Sequence, residues 1–290
     1  MRESEIYARP DRSSHGHHVD PVAARKRLDE FAAIVKEAVS RHRAANVGAN
    51  SVVVTPGGRS FPTVSAALDS ITDASQSRQY VVSIGPGTYT EVVTCKPWVF
   101  LTGAGRGQTI VTYGSQSDPT KKGTIKASSH SAVQECTIQS TPTGTGGGWV
   151  VAVDCQSAVD FDIENCELIA TDPSNTMDVT GIALDDWFGT GSQVNISYTS
   201  VTANSGFRPL AINVYFAAYA HGMESKFIGQ NGANPGRGGF AADASVFLVE
   251  DSYVEGADHS LYKDSNPKTS ITANHCQLKG PVGPGVVVNP

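Results

Sequence analysis

A four-residue pattern recurs through the second half of this 290-residue chain and constrains the fold more than any other feature of the sequence. Each copy opens with an apolar residue, four of the six copies have Ala at the second position, and each copy closes with Asp or Asn. The copies occupy residues 151–154, 182–185, 210–213, 240–243, 261–264 and 286–289. Their closing residues follow one another at intervals of 21 to 31 positions. Repeats of about 20 to 50 residues indicate a solenoid, because each unit buries its apolar face only against its neighbours.

A second element alternates with the first and consists of a small residue, Cys or Ser, just before or near an apolar one. It is found at Cys136, Cys166, Ser200, Ser225, Ser252 and Cys276. Two or three short strand-like pieces fit into each period, and no helical pattern separates them. The two interleaved elements therefore predict an all-β fold, a single parallel β-helix domain spanning about residues 47–290. The alternative is chance recurrence in a chain rich in Val and Ala.

The composition supports a turn-dense β protein and argues against several functional classes. Only 17% of the residues are charged, and there are 29 glycines. The formal net charge is −6, and because residues 1–46 contain nine Lys/Arg against seven Asp/Glu, the remainder carries −8. We expect no nucleic-acid partner, since phosphate binding requires a basic face. We expect no membrane span either, since no run of 18 apolar residues exists.

The five cysteines fit the repeat better than they fit a disulfide framework. They are Cys95, Cys136, Cys155, Cys166 and Cys276, and three of them belong to the second repeating element. In a buried position cysteine behaves as a small hydrophobe. The spacing therefore predicts a ladder of buried thiols, and in the absence of paired CxxC motifs it predicts no metal site.

Residues 1–46 lack the repeats and are predicted to form a polar tail followed by an amphipathic helix. Asp20-Pro21 is typical of a helix start, and apolar residues from Leu28 to Val39 fall at helical spacing. A helix with one apolar stripe requires a partner surface, which we expect to be either the open end of the solenoid or a second subunit in a homodimer. The start of the chain lacks the apolar core of a secretory signal, so we expect a cytoplasmic protein unless the chain has been trimmed.

An ordered set of motifs lies between residues 52 and 111. After a strand come Phe61-x-Thr-Val-x-x-Ala-Leu-Asp69, Ile84-Gly-Pro-Gly-x-Tyr-x-Glu91, Leu101-x-Gly-x-Gly105 and Thr109-Ile110. This order resembles the N-terminal part of the pectinesterases, the pectin methylesterase family. The resemblance implies a right-handed parallel β-helix whose first coil is capped by a short helix, a carbohydrate substrate and the extracellular location usual in that family.

The later coils resemble the same family at fewer positions. Asp258 stands in the place of the family's nucleophilic aspartate, and Gln230 stands in the place of an active-site glutamine. Asn231 occupies the place of the acid/base aspartate and cannot titrate. The family's earlier glutamine is missing near Pro209 and Leu210, and its Gly-Arg-x-Trp-like segment has no counterpart. The resemblance therefore implies an active site that has diverged.

The Asp or Asn that closes each tetrapeptide has two interpretations. Side chains alternate between the faces of a strand, and neighbouring coils stack about 4.8 Å apart. Closely stacked carboxylates either bind a cation such as calcium or acquire raised pKa values. Alternatively, Asp and Asn at strand ends hydrogen-bond the following turn and have a purely structural role. The first interpretation places the side chains of Asp154, Asp185, Asp243 and Asp264 near one line, beside an outward floor made by Ala152, Ala183, Ala211 and Ala241.

Candidate site residues follow from the resemblance and from the repeat. The candidate catalytic residues are Asp258, Asp264, Gln230, Asp243 and Lys263. The last of these replaces an apolar residue of the repeat, so it is an inward lysine that needs a partner, a groove lysine in a slipped register, or an ordinary surface lysine. Aromatic faces stack on sugars and polar groups bind hydroxyls. The candidate substrate-binding residues are Asp185, Asn213, Trp187, Tyr215, Tyr262 and Arg237.

Three classes of function are compatible with these features. The first is a pectinesterase-like carbohydrate-active enzyme, an esterase or hydrolase that needs no cofactor and acts on a polysaccharide or oligosaccharide in a groove along the β-helix. A calcium-assisted polysaccharide lyase is the variant of this class that would need a cation. The second class is a non-catalytic glycan-binding or assembly protein that has lost the esterase site. The third is an intracellular biosynthetic enzyme acting on a small molecule.

Overall fold

The computed structural model describes residues 50–56, 61–114, 123–142, 148–185 and 191–290. Over these ranges the chain forms 25 strands in three parallel sheets and one α-helix, α1 (Val64–Ser70). The predicted all-β fold, a single-stranded right-handed parallel β-helix, is confirmed. The predicted amphipathic helix of residues 1–46 and the candidate Trp187 lie outside the described residues. None of the helical structure in these ranges is long and apolar enough to cross a membrane.

Sheet A contains ten strands, and each is hydrogen-bonded to the equivalent strand of the next coil. Its strands, in spatial order, are β1 (Asn50–Val54), β2 (Tyr80–Ile84), β5 (Val99–Thr102), β8 (Ser131–Gln134), β11 (Phe161–Glu164), β14 (Gln193–Ser197), β17 (Tyr219–Met223), β20 (Val246–Glu250), β23 (Ser270–Asn274) and β25 (Val287–Asn289).

Sheets B and C complete each coil. A typical turn of the chain visits sheet A, then sheet B, then sheet C, and returns to sheet A. The eight strands of sheet B are β3 (Gly87–Thr90), β6 (Thr109–Tyr113), β9 (Thr137–Ser140), β12 (Glu167–Asp172), β15 (Ser200–Ser205), β18 (Lys226–Gln230), β21 (Tyr253–Gly256) and β24 (Gln277–Lys279). The seven strands of sheet C are β4 (Val93–Thr94), β7 (Ile125–Lys126), β10 (Trp149–Asp154), β13 (Asp178–Asp185), β16 (Pro209–Tyr215), β19 (Arg237–Ala241) and β22 (His259–Lys263).

The first coil is capped by α1, and the capping explains one motif of the sequence. Thr63 is the N-cap, and its hydroxyl accepts the N–H of Ala66 at 3.1 Å. The carboxylate of Glu91 accepts the N–H groups of Val64 at 2.8 Å and Ser65 at 2.9 Å. Negative charge at a helix N-terminus is favourable because the first N–H groups have no partner within the helix. Glu91, the last residue of the Ile-Gly-Pro-Gly-x-Tyr-x-Glu motif, therefore joins the helix to the first coil.

The core runs the length of the solenoid between the three sheets. Inward positions alternate with outward ones along most strands, as in the burial of every second residue of β11. The largest side chains in the core are fully buried, and Phe227 meets Phe247 edge to face at a centroid distance of 5.7 Å. Stacked coils thus bury apolar side chains that one coil alone would expose.

The second repeating element forms an inward column at the turn from sheet A to sheet B. Each member follows a residue with left-handed backbone, φ between 46° and 53°. The Ser225 hydroxyl shows the bonding pattern: it donates to the Met223 carbonyl at 2.8 Å and accepts the Thr199 N–H at 3.1 Å. The Ser225 N–H in turn donates to the Ser252 hydroxyl at 3.0 Å. The members of the column are Cys136, Cys166, Thr199, Ser225, Ser252 and Cys276.

Two predictions about this column have clear outcomes. The predicted thiol ladder is confirmed: all five cysteines are free, and the Cys136 and Cys166 sulfurs lie 3.8 Å apart in the core. The assignment of Ser200 to the column was wrong by one residue. Thr199 is the buried member, while Ser200 is half-buried and begins β15. A one-residue error exchanges the two faces of a strand, so only one of the two side chains can point inward.

The predicted line of carboxylates along sheet C is wrong. The register of β10 and β13 pairs Asp154 with Ala183, and the register of β13 and β16 pairs Asp185 with Tyr215. The tetrapeptides are thus offset by two residues between these coils. Such an offset keeps each side chain on the same face of the strand, so the sequence pattern does not distinguish it from an aligned register. The sixth copy lies outside sheet C altogether, since β25 belongs to sheet A.

The predicted outward floor of alanines is wrong at three of its four positions, since Ala152, Ala211 and Ala241 pack in the hydrophobic core, whereas Ala183 pairs with Asp154 and lies on the same face. The pairing of β10 with β13 passes from Val151 directly to Val153 and skips Ala152. Ala152 and Val153 both join the core, so the strict alternation of faces breaks there. Because the alternation is broken, some residues that the repeat pattern placed on the inward face lie on the outward face of sheet C instead. Phe240 is one of them.

Candidate functional site

Five side chains from the last strands of sheet C lie together, and we call them the Arg237 cluster: Arg237, Phe240, Asp258, His259 and Tyr262. The register of β19 and β22 pairs Arg237 with His259 and Phe240 with Tyr262. Asp258 directly precedes β22 and is held there by its N–H, which donates to the Gly236 carbonyl at 2.9 Å. Since paired strands lie about 4.8 Å apart, the register alone brings these groups within contact distance.

The centre of the cluster is the carboxylate of Asp258. Arg237 Nε donates to Asp258 Oδ2 at 2.6 Å, and His259 Nδ1 lies 3.1 Å from Asp258 Oδ1. Oδ2 therefore accepts a hydrogen bond, whereas the contact of Oδ1 with His259 Nδ1 does not have the geometry of a hydrogen bond. The three side chains are 31%, 30% and 23% exposed for Arg237, Asp258 and His259, so the group is accessible without being loose on the surface.

Aromatic rings hold the guanidinium on its other side. The Arg237 guanidinium carbon is 4.4 Å from the centroid of the Tyr262 ring and 5.3 Å from that of Phe240. The two rings are stacked, 5.8 Å apart and 8° from parallel. Cation–π contacts of this kind are worth about 0.5–2 kcal/mol, and a planar guanidinium can in addition stack on the rings. Tyr215 extends the aromatic row by one coil, with its ring 5.3 Å from Phe240.

The pKa of Asp258 is lowered from its ordinary value. Partial burial alone would raise the pKa of this carboxyl, but the hydrogen bond and positive charge of Arg237, with the contribution of His259, outweigh it. The carboxylate is therefore ionised at neutral pH. A lowered pKa makes a weak general base, since efficient proton transfer requires a pKa near the working pH.

Asp243 and Asp264 come together at a turn rather than in the cluster. One oxygen of the Asp264 carboxylate accepts the Asp243 N–H at 3.1 Å, and the other accepts the Asn266 N–H at 3.2 Å. Asp243 itself has left-handed backbone, φ 53°. These contacts favour the turn-stabilising interpretation for both residues.

Lys263 is half-buried at the end of β22. It pairs in register with Ala241 of the core, and its Nζ donates to the Asp264 carbonyl at 3.2 Å. Asn213 is buried, with 1% of its surface exposed, and pairs with Phe240. Lys263 therefore shares the face of Ala241, whereas Asn213 shares the face of Phe240, one coil before the Arg237 cluster, and is covered there. Of Asp185, only the backbone position in β13 is described.

Gln230 ends β18 at the same corner of the coil as Asp258. The register pairs Gly229 with Gly256. Gln230 is therefore level with Ala257, the residue before Asp258, in the preceding coil. Its neighbour Asn231 donates from Nδ2 to Asn204 Oδ1 at 2.9 Å. The Asn231 amide therefore links two coils by a hydrogen bond, but it cannot act as an acid or a base.

Two members of the cluster, His259 and Phe240, were not predicted as site residues. The sequence does contain a signal for His259, since it follows Asp258 directly and opens a strand. The position opposite Arg237 follows only from the pairing of β19 with β22. Among the described residues no group of three or more His, Cys, Asp or Glu is arranged to hold a metal ion.

Comparison with known proteins agrees with this architecture. The family described as Pectinesterase matches residues 50–176. The pectin methylesterase of Aspergillus niger in deglycosylated form has a similar structure, with TM-score 0.55, 12% identity and coverage of 84% of this chain and 82% of that one. Carrot pectin methylesterase gives TM-score 0.53, 16% identity and coverage of 84% and 89%. Escherichia coli ybhc gives TM-score 0.53, 12% identity and coverage of 79% and 72%. No curated protein matches the chain in sequence.

The fold and the family match together define the class as a right-handed parallel β-helix protein. Within that class, residues 50–176 are similar to the Pectinesterase family.

Proposed function

We propose that the protein is a pectinesterase-like esterase that hydrolyses an ester on a polysaccharide or oligosaccharide at the Arg237 cluster. The observation that carries this proposal is the ionised, partly exposed carboxylate of Asp258, which stands in the place of the family's nucleophile and is held by Arg237 at 2.6 Å. The family match to residues 50–176 and the structural likeness to pectin methylesterases support the substrate class.

The cluster has the parts that ester hydrolysis of a sugar requires. Asp258 supplies the essential negative charge, and Arg237 fixes its position. Tyr262 and Phe240 provide an aromatic surface beside the carboxylate on which a sugar ring can stack. Gln230, at the same corner of the coil, provides an amide for hydrogen bonds to the substrate.

Replacement of Asp258 by Asn tests the proposal. We expect the wild-type protein to release methanol from methyl-esterified pectin and D258N to lose that activity at least about 100-fold, because the amide carries no charge. The matched control is D178N: Asp178 forms a similar ion pair with Arg208 on sheet C, at 2.7 Å from Nη2. Methanol release by D258N equal to that of D178N would refute the assignment of Asp258.

A second function, glycan binding without catalysis, is favoured by one observation. Asn231 stands where the family has an acid/base aspartate, and its amide is engaged with Asn204. In that case oligogalacturonides should bind to the wild-type protein without any methanol release. Titration calorimetry with the wild-type protein and Y262A measures this, since loss of the Tyr262 ring should weaken binding about tenfold.

A further inference from the structure

The corner that leads from sheet C into sheet A carries a group of side chains that the proposed function does not use. Trp98, His130 and Asp160 directly precede β5, β8 and β11, three neighbouring strands of sheet A. The Trp98 and His130 rings are stacked, with their centroids 4.4 Å apart and their planes 13° from parallel. His130 Nδ1 is hydrogen-bonded to Asp160 Oδ2 at 3.1 Å. We call these three side chains the Trp98 cluster.

The Trp98 cluster is separate from the Arg237 cluster. Asp258 lies where the chain enters sheet C from sheet B, whereas Asp160 lies where the chain has left sheet C for sheet A. β10, the strand of sheet C before Asp160, is three strand positions away from β19. At about 4.8 Å for each position, the two clusters are at least about 14 Å apart along the solenoid. One sugar ring therefore cannot contact both.

The backbone of the Trp98 cluster is left-handed at every position, with φ 64° at Trp98, 55° at His130 and 58° at Asp160. Left-handed residues recur at the corners of this solenoid, so the conformation alone does not indicate a site. A residue as bulky as tryptophan is unusual in this conformation, because Asn and Gly adopt it with less strain. Strained residues persist where the surrounding structure fixes them, and they concentrate at functional sites. Here the Trp98 N–H donates to the His130 carbonyl, and the His130 N–H donates to the Val159 carbonyl, both at 2.9 Å.

The cluster is accessible to solvent and has the chemistry of a sugar-binding site. Trp98 is half-buried, and the side chains of His130 and Asp160 are 40% and 39% exposed. A flat aromatic group gives a sugar ring a surface on which to pack, and a carboxylate accepts hydrogen bonds from hydroxyl groups. The same carboxylate disfavours an acidic sugar because like charges repel, and so does the net charge of −8 outside residues 1–46. An uncharged sugar therefore suits the cluster better than an acidic one.

We propose that the Trp98 cluster is a second carbohydrate-binding site, which holds an uncharged sugar ring and takes no part in the chemistry at Asp258. The His130 ring lies against one face of the indole, so the sugar packs on the opposite face. Asp160 accepts hydrogen bonds from the sugar hydroxyls. The choice of methyl-esterified pectin as the polymer rests on the proposed function. The place of the site and its preference for an uncharged ring do not.

Calorimetry with a methyl-esterified oligogalacturonide tests the site. All proteins carry D258N and Y262A, so that the ester is not consumed and binding at the Arg237 cluster is weakened. We expect W98N to raise Kd at least about tenfold, because the ring is lost while Asn still tolerates left-handed backbone. W98F keeps a ring and should raise Kd less than about threefold. The matched control is Y198A, since Tyr198 is also an exposed aromatic residue with left-handed backbone, φ 53°.

The role of the Asp160 charge is tested in the same proteins. We expect the de-esterified oligogalacturonide to bind about threefold more weakly than the esterified one, because its carboxylates are repelled by Asp160. D160N should reduce this difference, since the amide carries no charge. Tighter binding of the de-esterified form by the parent protein would overturn the preference for an uncharged sugar.

These measurements separate the second site from the proposed function. If the wild-type protein releases no methanol but binding still depends on Trp98, the esterase proposal fails and the second site stands. If the wild-type protein releases methanol and W98N binds the esterified oligogalacturonide within about twofold of its parent, the function stands and the second site is overturned. No binding by the parent protein overturns the site as well. Thermal unfolding shows whether each variant is folded, and W98G replaces W98N if the latter is unstable, since glycine adopts left-handed backbone readily.

Discussion

At the scale of single residues, the Arg237 cluster shows how an ordinary ion pair becomes a defined site. Exposed ion pairs are typically worth about 0–1 kcal/mol, because two long side chains must be ordered in water. Here the Arg237 guanidinium is ordered already, since it lies over the rings of Tyr262 and Phe240. The aromatic contacts, rather than the charge alone, therefore determine the position of Asp258.

Replacement of Arg237 by Lys tests that explanation. Lys keeps the charge but lacks both the Nε donor and the flat group that stacks on two rings. We expect R237K to reduce methanol release about tenfold and to lower the free energy of unfolding by about 1 kcal/mol. The control R208K changes a separate arginine ion pair, with Asp178 of β13, and should affect stability but not activity. Unchanged methanol release by R237K would contradict the proposed role of the stacked guanidinium.

At the scale of structural elements, the turn from sheet A to sheet B is stabilised by the inward column. Each hydroxyl of Thr199, Ser225 and Ser252 both donates to its own coil and accepts an N–H from the preceding coil. These backbone N–H groups have no access to water, so loss of the acceptor leaves a buried donor without a partner. The column is thus a second link between coils, in addition to the sheet hydrogen bonds.

Ser225 is the position where this link can be measured. S225A removes the acceptor of the Thr199 N–H and should lower the free energy of unfolding by about 1–3 kcal/mol, whereas S225T should cost less because it keeps the hydroxyl. The control is S197A, at a half-buried outward position of β14, where we expect a change below about 0.5 kcal/mol. Urea unfolding followed by circular dichroism provides the comparison. Equal stability of S225A and S197A would show that the column adds nothing.

At the scale of the whole molecule, several carboxylates are more acidic in the fold than in an unfolded chain. For Asp172, partial burial opposes ionisation, but the Ser174 hydroxyl and the backbone N–H groups of Met177, Thr176 and Ser174 outweigh it and lower its pKa. A group whose pKa is lowered by folding stabilises the fold above its unfolded pKa, and this contribution is lost as the pH falls through the folded value. In the part of the chain that the structure describes, the carboxyl groups with lowered pKa are Asp172, Glu250, Glu255 and Asp258.

Acid should therefore destabilise the solenoid over a defined range. We expect the urea midpoint to change little between about pH 7 and pH 5 and to decrease below about pH 4.5, where the unfolded carboxyl groups begin to bind protons. In D172N the decrease should be shallower, because one of the contributing groups no longer titrates. Equal midpoints at pH 7 and pH 3.5 would contradict this expectation.

The solenoid and part of its internal order could be predicted from the sequence. The interleaved tetrapeptide and Cys/Ser elements predicted a parallel β-helix, and residues 61–71 and 80–84 were predicted as the short helix and the strand that form α1 and β2. That the helix caps the first coil was implied by the resemblance to the pectinesterases. The column of small inward residues was predicted as well, apart from Thr199. The solenoid and its inward column depend on local periodicity and on which side chains a coil must bury, and both can be recognised from the order of the residues.

Only the tertiary structure decided which residues of neighbouring coils lie side by side. An offset of two residues leaves every side chain on the same face, so the sequence pattern could not separate a column of aspartates from the observed pairing of Asp154 with Ala183. The break in alternation at Ala152 and Val153 also decided which side chains of sheet C point outward. For the same reason the meeting of Arg237, Asp258 and His259 depends on the pairing of β19 with β22, whereas the candidate carboxylate itself was already visible in the sequence.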